Sequence, residues 1–173
     1  MRIRYIFFVV SFVQFFHGFT QSFPIDSSRF FKSKEGCKVY SLYFGEGFDF
    51  SWNGACSAGY ADGQGELLIL RQESEKQAGS IKGVFTNGVP TGPCVVTTPS
   101  ESIIEVPFVD GRIWGKGSFT MKNGKIFKGN MVNLTKHGEG EIIYTDGDVF
   151  TGILNDNEPW IGRVLTLKKD TIY

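Results

Sequence analysis

Phe127-Lys128-Gly129-Asn130-Met131 is followed by His137-Gly138-Glu139-Gly140, and Phe150-Thr151-Gly152-Ile153-Leu154 then starts the same run again. The anchoring glycines, Gly129 and Gly152, are 23 residues apart. One period upstream lies Val106, inside Ile104-Glu105-Val106-Pro107-Phe108, followed on schedule by Trp114-Gly115-Lys116-Gly117, and the next period lands on Gly83. The first copy is Trp52-Asn53-Gly54-Ala55-Cys56, leading to Gly63-Gln64-Gly65.

Counted from the anchors Gly54, Gly83, Val106, Gly129 and Gly152, the copies form columns. Two before the anchor stand Trp52, Ile81, Ile104, Phe127 and Phe150, and two after it Cys56, Phe85, Phe108, Met131 and Leu154. Thirteen after it stand Leu67, Val96, Phe119, Ile142 and Leu165. One before it, Asn53, Lys82, Glu105, Lys128 and Thr151 are all polar. Side chains on a strand alternate between faces, so this pattern predicts a β-hairpin per copy with one apolar face. A ring next to a glycine fits too, because glycine leaves a hollow in which an aromatic can settle and offset the entropic cost of the glycine.

The predicted fold is all-β: a single-layer curved antiparallel meander of about five 23-residue β-hairpin repeats. Asn123-Gly124 and Asp146-Gly147 predict type I′ turns between repeats. Gly54 and Gly83 are 29 residues apart, and the charged run Arg71–Lys76 holds the surplus as a lengthened surface turn. The last copy has Ile161 where the others carry glycine at step nine and Arg163 where most carry glycine at step eleven, as terminal repeats commonly do. The chain divides into a leader over 1–20, a Phe-rich segment over 21–50 with one strand near Cys37–Tyr43, the repeats over 51–162, and a cap strand over 163–173.

Met1-Arg2-Ile3-Arg4 precedes the apolar run Tyr5–Phe16, the form of a secretory signal peptide. Gly18 and Thr20 supply small residues for cleavage after Thr20, and a cut after Ser22 is the nearby alternative. An uncleaved membrane anchor is the competing reading, but a span needs about 20 apolar residues and this run is shorter. The expected location is extracytoplasmic, secreted or periplasmic. The 18 basic residues balance 18 acidic ones without a clustered basic surplus, which argues against nucleic acid as a partner. Of three cysteines, Cys37 in the early strand and Cys56 in the first hairpin are candidates for a disulfide. Cys94, with two strands between it and Cys56 and in a glycine column, is expected to stay free as a small core residue.

The aromatic-x-Gly-x-apolar run, the His137-Gly138-Glu139-Gly140 motif, Asp146-Gly147 and the 23-residue period resemble the MORN (membrane occupation and recognition nexus) repeat from Trp52 to about Gly162. The Trp52–Cys56 variant resembles small exported bacterial members. The resemblance implies a curved sheet of hairpins and a scaffold or recognition role toward proteins or lipids.

No catalytic constellation stands out. His137 is the only histidine after the leader and occupies a motif position. A zinc site needs more ligands of that kind, and the glycine pairs are followed by no helix that could assist a phosphate. No metal or cofactor is expected. Glu139 and Glu141, or Asp146 and Asp148, are paired carboxylates that could serve acid/base chemistry, and their simpler reading is a solvated turn or strand face. Step eight holds Asp62, Thr91, Trp114, His137 and Trp160. The last three form a candidate ligand-binding ladder for sugar rings, peptide or lipid headgroups, the alternative being packing between hairpins. Together these features point to a non-catalytic extracytoplasmic scaffold binding a protein partner. The alternative is a peripheral module that binds cell-wall glycan or a membrane surface through Trp114, His137 and Trp160, and an unrecognised hydrolase is the third class.

Overall fold

The computed structural model describes residues 22–166, so the leader over 1–20 and residues 167–173 of the expected cap lie outside the described residues. After a short 3-10 turn at Ser27–Arg29 come β1 (Phe30–Lys32), β2 (Lys38–Tyr40), β3 (Phe48–Trp52), β4 (Ala55–Ser57) and β5 (Tyr60–Arg71). Then follow β6 (Gln77–Thr86), β7 (Val89–Thr97), β8 (Ile103–Val109), β9 (Arg112–Thr120), β10 (Ile126–Val132), β11 (Thr135–Ile143), β12 (Val149–Asn155) and β13 (Glu158–Leu165). All belong to one sheet, in which β5 to β13 pair in sequence order. Every neighbouring pair is antiparallel except a single parallel bridge, Lys38 to Tyr60, between β2 and β5. Five hairpins are thus strung as a meander. In the first, β3 and β4 form one arm broken at Asn53-Gly54, and both halves lie on β5, with Trp52 opposite Leu67 and Cys56 opposite Ala61.

The turns repeat with the period, but not where the Asn-Gly and Asp-Gly pairs suggest. Ala58-Gly59, Asn87-Gly88, Asp110-Gly111, Asn133-Leu134 and Asp156-Asn157 hold both residues at φ between 47° and 82°, the type I′ geometry. These turns lie within the hairpins. The expected I′ turns at Asn123-Gly124 and Asp146-Gly147 are corrected: only Gly124 and Gly147 have positive φ. The Gly124 N–H donates to the Met121 carbonyl at 2.8 Å and the Met121 N–H to the Lys125 carbonyl at 2.9 Å, which makes a three-residue loop closed by a left-handed glycine. The Asn123 Oδ1 accepts the Lys125 N–H, and the Asp146 Oδ1 the Asp148 N–H, both at 3.1 Å. Side-chain hydrogen bonding of this kind is the other way in which Asn and Asp favour turns.

The apolar columns face one way. Trp52, Ile81, Ile104, Phe127 and Phe150 are all buried, as are Phe85, Phe108, Met131 and Leu154, whereas Lys82, Glu105, Lys128 and Thr151 are exposed. The rings do settle on the glycines. A Cβ on Gly54 or Gly65 would run into the Trp52 indole, and one on Gly129 or Gly140 would come within 2.7 Å and 2.5 Å of the Phe127 ring. Phe150 lies in the same way over Gly162. In the two middle repeats Ile81 and Ile104 replace the ring, and Cys94 and Val106 replace one glycine of each pair.

The second glycine of the motif has a different task. Gly63, Gly92, Gly115 and Gly138, each nine after an anchor, adopt φ of +79°, +66°, +133° and +79°. In these four hairpins the second arm has two residues more than the first between the I′ turn and the glycine column. Met131 pairs with Lys136, for example, but Gly129 pairs with Gly140. A bulge of this kind takes a left-handed residue, which glycine supplies at least cost. The fifth hairpin has Ile161 at this step, and its bulge is one residue shorter, with Leu154 opposite Pro159 but Gly152 opposite Gly162. Its strand runs through position 163, so Arg163–Leu165 belong to the fifth hairpin.

The Phe-rich segment packs on the buried face. Cys37–Tyr43 is strand only over β2, whose partner is β1. Phe31 stacks on Phe50 with centroids 5.0 Å apart, and Tyr43, Phe44 and Phe48 lie against the core cluster. The Tyr43 hydroxyl accepts the Ile113 N–H at 3.0 Å and donates to Asn133 Oδ1 at 3.3 Å, tying this segment to the third and fourth hairpins. Cys37 and Cys56 form a disulfide with Cα atoms 5.8 Å apart. Cys94 is free, 3% exposed, and burial pushes its thiol up to about 11.

The ring–glycine contact predicts strong coupling. Gly140→Ala should destabilise the wild-type chain by about 2 kcal/mol through overpacking. In a Phe127→Ile background the loss should shrink by at least ~1 kcal/mol, read from denaturant unfolding of the four proteins as a double-mutant cycle. Additive losses would mean that the ring does not impose the glycine. For the cysteines, native protein should give no reaction with a thiol reagent, and unfolded protein one reactive thiol. Reducing the disulfide, which spans 19 residues, should lower stability by about 3 kcal/mol.

Candidate functional site

The face opposite the core carries an ordered set of charges. Cross-strand pairing places Glu66, Lys82, Val95, Glu105, Ser118, Lys128, Glu141, Thr151 and Arg163 in one continuous row from β5 to β13. Its charged members alternate in sign, the arrangement in which facing side chains support a sheet. The Ser118 hydroxyl donates to Glu105 Oε2 at 3.2 Å. Among the described residues the single ion pair lies elsewhere, between exposed Lys122 and Glu101 at the loop ends. Beyond the hydrogen bond between Ser118 and Glu105, the heads of the row are in no ion pair among the described residues.

Beside this row the sheet is bare. Gly117, Gly129, Gly140 and Gly152 pair side by side across β9, β10, β11 and β12. Because their neighbours in each strand point outward, an open trough of about 710 Å³ crosses the four strands, walled by Lys116, Lys128, Glu139, Glu141, Thr151 and Ile153. A second hollow of about 530 Å³ adjoins it at Lys116 and runs over Pro93, Cys94 and Pro107. Glu139 and Glu141 share a wall of the trough. Glu139 is exposed and Glu141 only half-buried, so neither is enclosed. Among the described residues no group of three or more His, Cys, Asp or Glu side chains is placed to share a metal ion.

Trp114, His137 and Trp160 stand on β9, β11 and β13, each in the bulge of its hairpin and one residue past an inward position. Their predecessors Ile113 and Lys136 are buried, so Trp114 and His137 project to the outward face. Alternate strands put them two spacings apart, about 9–10 Å. Trp160 is 68% exposed and Trp114 37%. The difference has a cause: the Phe23 ring lies edge-on against Trp114, with centroids 5.2 Å apart. The anchor glycines Gly54, Gly83, Gly129 and Gly152 sit at the strand crossings and reach no ligand-facing surface with a side chain.

Two features escaped the reading of the sequence. Step seven holds Ala61, Pro90, Ile113, Lys136 and Pro159, and the lysine is 6% exposed in this inward column. Its ammonium lies 4.4 Å from the Phe119 centroid and 5.9 Å from that of Phe127, within reach for cation–π attraction. Burial holds its pKa below the usual lysine value, Lys125 adds to this, and Glu158 opposes it. A lysine in an otherwise apolar column was visible in the period. The second feature, the seat of Phe23, left no local signal.

The MORN repeat family model matches residues 108–126 and 128–149. No curated protein matches the chain. The matched residues begin at Phe108 in β8 and end at Val149 in β12, spanning the I′ turns, glycine bulges and ring-covered glycine pair of the third and fourth hairpins. Residues 108–149 thus carry MORN repeats.

Proposed function

We propose that the protein is a non-catalytic, extracytoplasmic scaffold whose open C-terminal edge engages a protein partner. MORN repeats generally mediate interactions with proteins or membrane lipids. The observation that carries the reading is β13. All eight of its residues are exposed, with Ile161, Val164 and Leu165 each more than half accessible, and among the described residues no strand pairs with its outer side. Soluble sheets usually blunt such an edge with charge or proline, and β13 has only Glu158, Pro159 and Arg163 against four large apolar side chains. An extended segment of a partner added there gains main-chain hydrogen bonds, with alternate side chains setting specificity. The disulfide and the leader support an oxidising location.

The glycan or lipid reading draws on Trp114 and His137 sharing the outward face and on the exposed Trp160 of the last strand. Affinity capture from envelope extract separates the two. The mature protein should retain one saturable protein, and Ile161→Lys combined with Val164→Lys should weaken that retention at least tenfold without changing the melting temperature. Trp114→Ala with His137→Ala should leave it intact. Retained glycan or lipid without a stoichiometric protein, lost with the Trp114 and His137 substitutions, would overturn the edge reading.

A further inference from the structure

Phe23 is held by three residues of a single hairpin. Its backbone nitrogen donates to Asp110 Oδ2 at 2.8 Å, its ring meets Trp114 edge-on, and the Arg112 guanidinium lies 5.3 Å from the ring centroid. Ser22, Pro24, Ile25 and Asp26 around it are exposed, so this is a seat for one residue and not part of a longer packed strand. The carboxylate projects from the I′ turn Asp110-Gly111, and the nitrogen it holds is 87 residues away in sequence. The bond that precedes this nitrogen joins Ser22 to Phe23, with Thr20 and Ser22 as small residues at the third and first positions before it. Small residues at these two places are what a signal peptidase requires.

We infer that the chain is processed between Ser22 and Phe23, and that the new α-ammonium of Phe23 pairs with the Asp110 carboxylate. The inference rests on the export reading above. A signal peptidase adds water across the Ser22–Phe23 amide: the hydroxyl completes the Ser22 carboxyl of the released peptide, and the nitrogen leaves as an amine that is protonated at neutral pH. The released nitrogen already lies at hydrogen-bond distance from Asp110, so an amide–carboxylate contact becomes a charge-assisted one without rearrangement. The α-amino group ionises near pH 8, so the pair is charged on both sides at neutral pH. The ring between Trp114 and Arg112 then fixes the amino terminus on the outward face, against one member of the aromatic column.

The test starts with the full chain expressed with its own leader in an exporting host. Intact mass and amino-terminal sequencing should show a chain beginning Phe23-Pro24-Ile25. An exported chain beginning at Gln21 would overturn the inference and leave the export reading standing, and an unprocessed chain retained in the cell would overturn both. The pairing is tested by Asp110→Asn in two chains, one beginning at Phe23 and one at Gln21. The substitution should lower the folding equilibrium constant about threefold more in the chain beginning at Phe23, and 1 M salt should remove most of that difference. Equal effects in both chains would overturn the ion pair.

Discussion

A ring lying across a pair of glycines is the contact on which the other features of this sheet depend. Phe127 covers Gly129 and Gly140, which face each other on β10 and β11, and Trp52 covers Gly54 and Gly65. A glycine inside a strand costs conformational entropy and leaves backbone uncovered, at roughly 0.5–1 kcal/mol relative to alanine. The ring supplies the missing contacts, and the absence of a Cβ is what lets it lie flat. Slipping the register by one residue would bring side chains under the ring and turn the apolar columns to solvent. Pairing is thus specified at the centre of the hairpin, not only at its turn. The middle repeats support this by exchange: where isoleucine replaces the ring, a cysteine or valine enters the glycine column, so what is conserved from repeat to repeat is filled volume.

The bulge decides what the outward face presents. With two extra residues in the second arm, step seven points inward, step eight outward and the step-nine glycine turns left-handed. Ile113 and Lys136 are buried for this reason, while Trp114 and His137 stand outside. The fifth hairpin shows what the glycine permits. With Ile161 at the left-handed position the longer bulge does not form, the strand returns to register one residue early, and Gly162 takes over the place beneath Phe150.

Periodicity made the fold legible, and its breakdown marks where legibility stopped. The columns through Trp52, Phe85, Phe127 and Leu154 placed the buried face, and the offset between strands separated Cys94 from the Cys37–Cys56 pair. The turn types were misassigned because Asn-Gly and Asp-Gly suit two different loops. At Asn123 and Asp146 the side chain accepts a backbone N–H, whereas Asn133-Leu134 adopts I′ geometry without any glycine, imposed by the strands it joins. The resemblance of the repeats at Gly129 and Gly152 to a known motif was equally plain in the residues. The seat of Phe23 was not, since it joins a segment without periodicity to a turn 87 residues on. No pattern local to either encodes that contact.

An array of hairpins has two ends, and the ends of this one are treated differently. At the first, β1 and β2, the disulfide and the rings of Phe31, Phe44 and Phe48 close over the starting strands. At the last, β13 offers Trp160, Ile161, Val164 and Leu165 at more than half of their full exposure. Interior repeats bury their apolar columns against one another, so each added hairpin moves the exposed edge without removing it. A chain that seals one end with a covalent bond and three phenylalanine rings, yet ends the described sheet on an apolar strand, has an asymmetry that packing alone does not require. The edge reading proposed above would account for it: a partner's strand added there would complete what the first hairpin receives from its own amino-terminal segment.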